Sequence, residues 1–353
     1  MRDLLERLGR IPVPRIGRPS GRVRRIVRRF ASQPLNAAGF VFLALVALFA
    51  LAADLIASDK PIACRLDGTL YVLPCIARPA ALADDDNFTI ERAVAARGGW
   101  TLLPPVPFGP TQAKVAGRAG RLGGPSRAHP FGTDDLGRDV LARMVHGARS
   151  AMLVGFGSVV LYALIGILLG ALAAYFGGPT DRVVMRLIET LSSFPSLFLI
   201  LAVQGLLGVS TLWQLVAVIG LTRWSDVARL TRGEVLRVAT EDYVTAARAL
   251  GLHPLHILWR HVLPNSMGPV LVACTFGVAG AILIESTLSF LGFGVPPPTP
   301  SWGQLLTEAF GSEGSYWLTL FPGVALFATI VSINLVGEGL REAVSPKARG
   351  ARL

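Results

Sequence analysis

The sequence predicts an all-α membrane protein with six transmembrane helices, and three observations point there. Hydrophobic residues make up 52% of the 353-residue chain and charged residues only 16%, against about a quarter charged in soluble proteins. The apolar residues gather into blocks long enough to be membrane spans. The basic excess, a net charge of +11, sits at the edges of those blocks. With no basic stripe interleaved with aromatics, it reads as membrane orientation and not as a nucleic-acid surface.

Residues 1–34 form a basic arm. Met1 to Gln33 carries ten arginines against Asp3 and Glu6, and Pro12, Pro14 and Pro19 interrupt it, so it stays on the cytoplasmic side. Residues 35–57 form the first span, with Asn36 to Ile56 as its nearly uncharged heart. A cleaved signal peptide is disfavoured: the run is long, begins some 35 residues in and lacks a small-x-small site before Asp59. Residues 58–130 change composition to Pro, Gly, Arg and Asp, with strand-like pieces such as Leu70 to Leu73. They read as an extracytoplasmic loop able to hold a small subdomain.

Residues 131–345 hold five more apolar blocks: Ala151 to Phe176, Pro195 to Leu207, Leu212 to Leu221, Pro269 to Ile284, and Trp317 to Val336. Gly155, Gly157, Gly166 and Gly170 read as close helix contacts. Six spans place both termini, including the tail 346–353, on one side. The N-terminal arm, Arg182 and Arg186, the stretch from Arg223 to Arg260, and Arg341, Lys347, Arg349 and Arg352 mark that side as cytoplasmic. The opposite loops, Gly208 to Thr211 and Glu285 to Tyr316, contain no Lys or Arg. None of the three lysines, Lys60, Lys114 and Lys347, stands in a Gly-Lys-Ser/Thr phosphate loop, so ATP hydrolysis belongs to another chain if ATP is used.

Between the fourth and fifth spans the pattern predicts two short helices. Thr240 is placed to cap the first, whose opening turn holds Glu241 and Asp242. Tyr243, Ala247 and Leu250 would form its apolar stripe, and Gly251 would stop it. A second helix from His253-Pro254 would present Leu255, Leu258 or Trp259, and Val262, and end at Pro264. On residues alone, a connector lying on the membrane surface and a docking knob remain equal readings.

The segment Thr245-Ala246-Ala247-Arg248-x-x-Gly251, closed by Leu263-Pro264, resembles the coupling motif of binding-protein-dependent ABC importer permeases. It departs at Thr245, where that family usually has Glu, and at His261, where an aliphatic residue is usual. His129 to Val140 with Gly147 to Ser150, Ser289 to Gly294 with Pro297 to Gly303, and Asn334 to Ala343 with Pro346 are similar to dipeptide, oligopeptide and nickel permeases of the C type. Asp59-Lys60-Pro61 and Asp67-Gly68-x-Leu70-Tyr71 look like a peptide-importer branch that includes microcin carriers.

The resemblance implies a type I ABC importer permease fold with cytoplasmic coupling helices, in the bacterial inner membrane. It implies as partners a homologous B-type permease, two ATPase subunits and an extracytoplasmic substrate-binding protein. ATP and Mg would be used by those ATPases and no cofactor held by this chain. Peptides are the expected substrate, with nickel or another non-peptide as the alternative. An ion-driven secondary transporter would call for paired acidic residues or broken helices near mid-membrane, and an enzyme would need a convergent nucleophile, base or metal set. The sequence displays neither.

Remaining polar residues carry competing readings. Asp134, Asp135 and Asp139, near Arg138 and Arg143, read as helix caps and ion pairs before a metal site. Glu285 lies at the outer end of the fifth span, as a path or inter-subunit residue or as a rim carboxylate. Gln204 and Asn334 read as helix-to-helix hydrogen bonds before substrate contacts. His253, His256 and His261 read as an amphipathic surface and not a metal site. Cys64 and Cys75 could close a disulfide in an oxidising compartment, while Cys274 reads as a small buried residue.

Overall fold

The computed structural model describes residues 30–113, 121–208, 211–312 and 314–344. The first 29 residues of the basic arm, Lys114 and the tail from 345 lie outside them. The described chain is mostly helical. Four helical stretches are long and apolar enough to cross a membrane: Pro34–Leu51 (α1), Val140–Phe176 (α5), Pro254–Phe290, and Tyr316–Ala343 within α13 (Tyr316–Val344). A fifth arises if α6 (Gly178–Ser192) and α7 (Ser196–Leu207), bent by 85° at Ser193–Pro195, count as one span.

The sequence pattern mistook several helix ends. The fourth expected block, Leu212 to Leu221, is the opening of α8 (Leu212–Ala239), which continues unbroken through Arg223, Asp226, Arg229, Arg232 and Arg237. A charge ends an apolar run without ending a helix, because backbone hydrogen bonding is indifferent to it. Similarly, α5 begins eleven residues before the expected Ala151, where the Asp139 carboxylate accepts from the Ala142 N–H at 2.7 Å. It ends at Gly177, whose φ of +62° turns the chain into α6.

The helices pack closely along α5. A Cβ on Gly166 would lie 2.7 Å from the Trp224 carbonyl of α8, and one on Gly155 would lie 2.7 Å from Ile282. Gly157 and Gly170 face Val216 and Ala228 in the same way, as expected of small residues at membrane-helix contacts. On the other side of α5, Phe156, Val160, Leu164 and Leu168 recur at helical spacing and stay exposed. Such an apolar stripe, unburied by the chain itself, suits a bilayer.

Residues 57–113 form a small α/β unit beside the end of α1 and the short α2 (Ala53–Ile56). Its antiparallel sheet has the order β2-β1-β3, from β1 (Ala63–Leu66), β2 (Thr69–Val72) and β3 (Trp100–Leu102). Cys64 faces α4 (Asn87–Arg97) and packs with Leu82, Ile90 and Val94, while α3 (Pro74–Ala77) buries Cys75. Lys60, 4% exposed, donates to the carbonyls of Leu82, Ala83 and Asp85. The unit is fastened to the helices by His146 Nε2 against the Ala57 carbonyl at 2.8 Å. Arg149 adds bonds to the Ala50 carbonyl at 2.9 Å and to Asp54 at 2.8 Å.

Candidate functional site

The segment that joins α8 to the Pro254–Phe290 helix folds as a knob. Helix α9 (Asp242–Ala249) starts at Glu241, and Thr240 instead closes α8, its hydroxyl donating to the Arg237 carbonyl at 2.9 Å. The expected cap at Thr240 is therefore displaced by one residue. The apolar stripe is also rotated from the expected one. Val244 and Ala247 turn inward, onto Ala171, Val235, Val238, Ile257, Leu258 and Val262, whereas Tyr243 and Leu250 face out. Two apolar positions one turn apart cannot both be read from spacing when the whole short helix is apolar on two sides.

Gly251 closes α9 with φ of +75°; its N–H donates to Arg248 at 3.0 Å and the Leu252 N–H to Ala247 at 3.3 Å. This pair of bonds is the Schellman arrangement, which suits glycine because the left-handed backbone is strained for other residues. Nothing crowds the position where a Cβ would stand, so backbone conformation alone imposes glycine there. The Arg248 guanidinium lies 5.6 Å from the Tyr175 ring centroid at the end of α5, a distance suited to a cation–π contact.

Beyond the turn, α10 (Pro254–Ile257) begins with proline, as expected. Pro264 does not end that helix. A wider turn over Leu258–Val262, with the Leu263 N–H bonding the Leu258 carbonyl five residues back, lets the helix run on into α11 (Leu263–Phe290). Such a bulge accommodates proline inside a helix. The outward surface of the knob carries Thr245, Ala246, Leu250 (81% exposed), Leu252, Leu255 and Trp259. Leu255, His256, Trp259 and Arg260 border an open hollow of about 350 Å³.

At the other end of α5 the polar residues are consumed internally. Asp134 accepts from the Leu136 and Arg138 N–H groups at 2.9 Å each and pairs with Arg138 and the buried Arg143. Both arginines also reach Glu308 of α12 (Trp302–Phe310). Carboxylate oxygens of Asp134, Asp135 and Glu308 come within 4.8 Å of one another, but the two guanidinium groups supply the positive charge there. Asp139 caps α5 and meets His129 Nδ1 at 2.7 Å. Burial pushes its carboxyl above the ordinary range, against the pull of the Ala142 N–H and the imidazole.

Glu285 is fully buried near the end of α11 and is no rim carboxylate: the hydroxyls of Ser289 at 2.8 Å and Ser286 at 3.3 Å donate to it. Gln204 of α7 accepts from Gln214 of α8 at 2.8 Å, a helix-to-helix bond, while its own amide nitrogen is buried without a partner. Asn334 is exposed on α13. Cys64 and Cys75 are free thiols, both buried, and burial raises the pKa of each. The sequence reading passed over Arg223 and Asp226 by assigning them beyond the membrane; counting turns of an uninterrupted α8 would have placed them within it.

A bundle of apolar helices with exposed apolar flanks and one polar-rimmed knob defines a multi-pass membrane protein. Comparison with known proteins makes the class specific. Residues 166–350 match the binding-protein-dependent transport system inner membrane component family, a span that contains the knob. The chain is 38% identical over 226 residues to the oligopeptide transport system permease protein of Bacillus subtilis, covering 64% of this chain and 74% of that one. It is 40% identical over 222 residues to the di/tripeptide transport system permease protein of Pseudomonas aeruginosa, covering 63% and 73%. It is 41% identical over 222 residues to the oligopeptide transport system permease protein of Haemophilus influenzae, covering 63% and 71%. This chain belongs to that family of inner membrane components, and within it to the dipeptide/oligopeptide ABC permeases.

Proposed function

We propose that this chain forms half of the translocation path of an ATP-driven peptide importer and docks ATPase subunits through the knob from Asp242 to Leu263. The six spans are α1, α5, α7, α8, the α10–α11 helix and α13. The knob, both termini and the basic arm face the cytoplasm, a placement supported by the absence of Lys and Arg from the opposite loops. A homologous B-type permease supplies the other half of the path, two ATPase chains sit beneath, and an extracytoplasmic binding protein delivers peptide.

The observation that carries this reading is the division of labour in α9. Val244 and Ala247 fix it to the bundle, while Ala246, Leu250 and Leu252 stand exposed around the Gly251 turn. Exposed apolar residues on a rigidly held knob mark a contact surface. Ala247 thus serves as scaffold, and Ala246, with Leu250 not foreseen among the contact residues, takes the contact role. A docked ATPase pair that closes on ATP would drag such knobs together and open the bundles on the far side, the rigid-body type of transition. ATP and Mg act in those partner chains.

Replacing Gly251 by Val forces a β-branched residue into the left-handed region, at a cost of about 1–2 kcal/mol. The expected result is loss of ATPase co-purification and of peptide uptake with membrane insertion retained. Normal assembly and uptake in Gly251→Val would refute the docking role.

A further inference from the structure

Ionisable side chains at mid-membrane depth face one another, the bundle interior or water, because hydrocarbon solvates them poorly. Helix α8 carries such a pair. Arg149, bonded to the final carbonyls of α1 and to Asp54, marks one end of the membrane stretch of α5, and Phe176 the other. Tyr162 lies thirteen residues beyond Arg149 and fourteen before Phe176, hence about 20 Å from each. Helices α5 and α8 run parallel, with Gly157 against Val216 and Gly166 against Trp224 and Val227. That register sets Arg223 level with Tyr162.

Arg223 donates to Asp226 at 3.2 Å, and their side chains remain 28% and 62% exposed. They are seated beside a trough in α11. A Cβ on Gly280 would lie 3.2 Å from Arg223 Nη1, and one on Gly277 would collide with the Tyr162 hydroxyl. Glycine three residues apart on α11 therefore makes room for both polar groups at one level. Charged side chains this exposed and this deep need water or a polar partner on their open side.

We infer that Arg223, Asp226, Tyr162 and the Gly277/Gly280 trough form a mid-membrane station for the charged termini of a passing peptide. The inference rests on the peptide-permease reading above. When the path is empty the pair neutralises itself. A peptide ammonium exchanges onto Asp226, the more exposed partner, and a peptide carboxylate onto the planar guanidinium of Arg223, which offers it two parallel N–H donors. Net charge at this depth stays near zero throughout, which keeps passage shallow in energy.

The test uses the assembled transporter with its binding protein and ATPase subunits in proteoliposomes, with trialanine as the probe. Arg223→Gln, Asp226→Asn and the double variant should each lose at least tenfold in uptake while the ATPase subunits still co-purify. A structural ion pair behaves otherwise, since removing both partners is often neutral; uptake restored in the double variant overturns the inference and leaves the permease reading intact. In a Cys274→Ala background, Asp226→Cys should react with a charged, membrane-impermeant thiosulfonate, and saturating trialanine should slow that reaction. An unreactive thiol would mean that the face meets lipid or another subunit and would also overturn it. Wild-type vesicles that take up no trialanine would count against the peptide reading and this inference together.

Discussion

The two ends of the bundle solve opposite problems. Where α5 begins, Asp134, Arg138, Arg143 and Glu308 are paired among themselves, Asp139 is shared by the Ala142 N–H and His129, and Lys60 is ringed by three carbonyls. Around Gly251, by contrast, Tyr243, Leu250, Leu255 and Trp259 are all at least 40% exposed. The first region is satisfied by its own chain and the second is not. An end closed by buried charge resists change, whereas an end closed by one glycine turn presents a surface to another protein.

That contrast can be broken by substitution, and the largest effect belongs to the closed end. Arg143→Ala leaves Asp134 buried and half-paired, and breaking a buried pair on one side costs about 3–5 kcal/mol. Thermal unfolding of the detergent-solubilised complex should show a large loss of stability. Lys60→Met strands the Leu82, Ala83 and Asp85 carbonyls, at about 1–3 kcal/mol for groups left unsatisfied. The expected readout is faster proteolysis within residues 57–113 with the membrane helices still protected.

Leu250→Asp should do the reverse. At 81% exposure its effect on stability should stay within about 0.5 kcal/mol, while ATPase co-purification falls sharply. Comparable stability losses for Leu250→Asp and Arg143→Ala would erase the distinction between the two ends. The smallest effect expected is at the thiols. Burial raises the pKa of Cys64 and Cys75, so little thiolate is present at neutral pH and both should alkylate slowly in the folded protein. Both should react fully after denaturation without reductant; failure to react then would reveal a disulfide between them.

Much of this was legible in residues. The apolar runs announced a membrane protein, Gly251 announced a turn, and the motif around Ala246 and Ala247 pointed to the family that the comparisons show. Helix ends were less legible. Pro264 was expected to stop a helix and does not, because a single wider turn absorbs it. Thr240 was expected to cap α9 and closes α8, because a hydroxyl can bond back to its own helix as readily as forward. The α8 charges were assigned beyond the membrane because hydropathy measures the apolar run and not the helix that carries it.

The sequence by itself determined the class, since transfer of apolar side chains into hydrocarbon depends on composition over about 20 residues and on little else. It also determined where φ must be positive at Gly251, a local property of the backbone. Tertiary structure alone decided which face of α9 is scaffold and which is surface, because both faces are apolar and only packing against Val235, Val238 and Ile257 separates them. It alone set Glu285 among serines and not at a rim, and brought Arg223, Tyr162 and Gly280 to one depth from three helices. Such meetings depend on the register between helices, which is fixed by how glycine and side-chain shapes interlock across positions far apart in the chain.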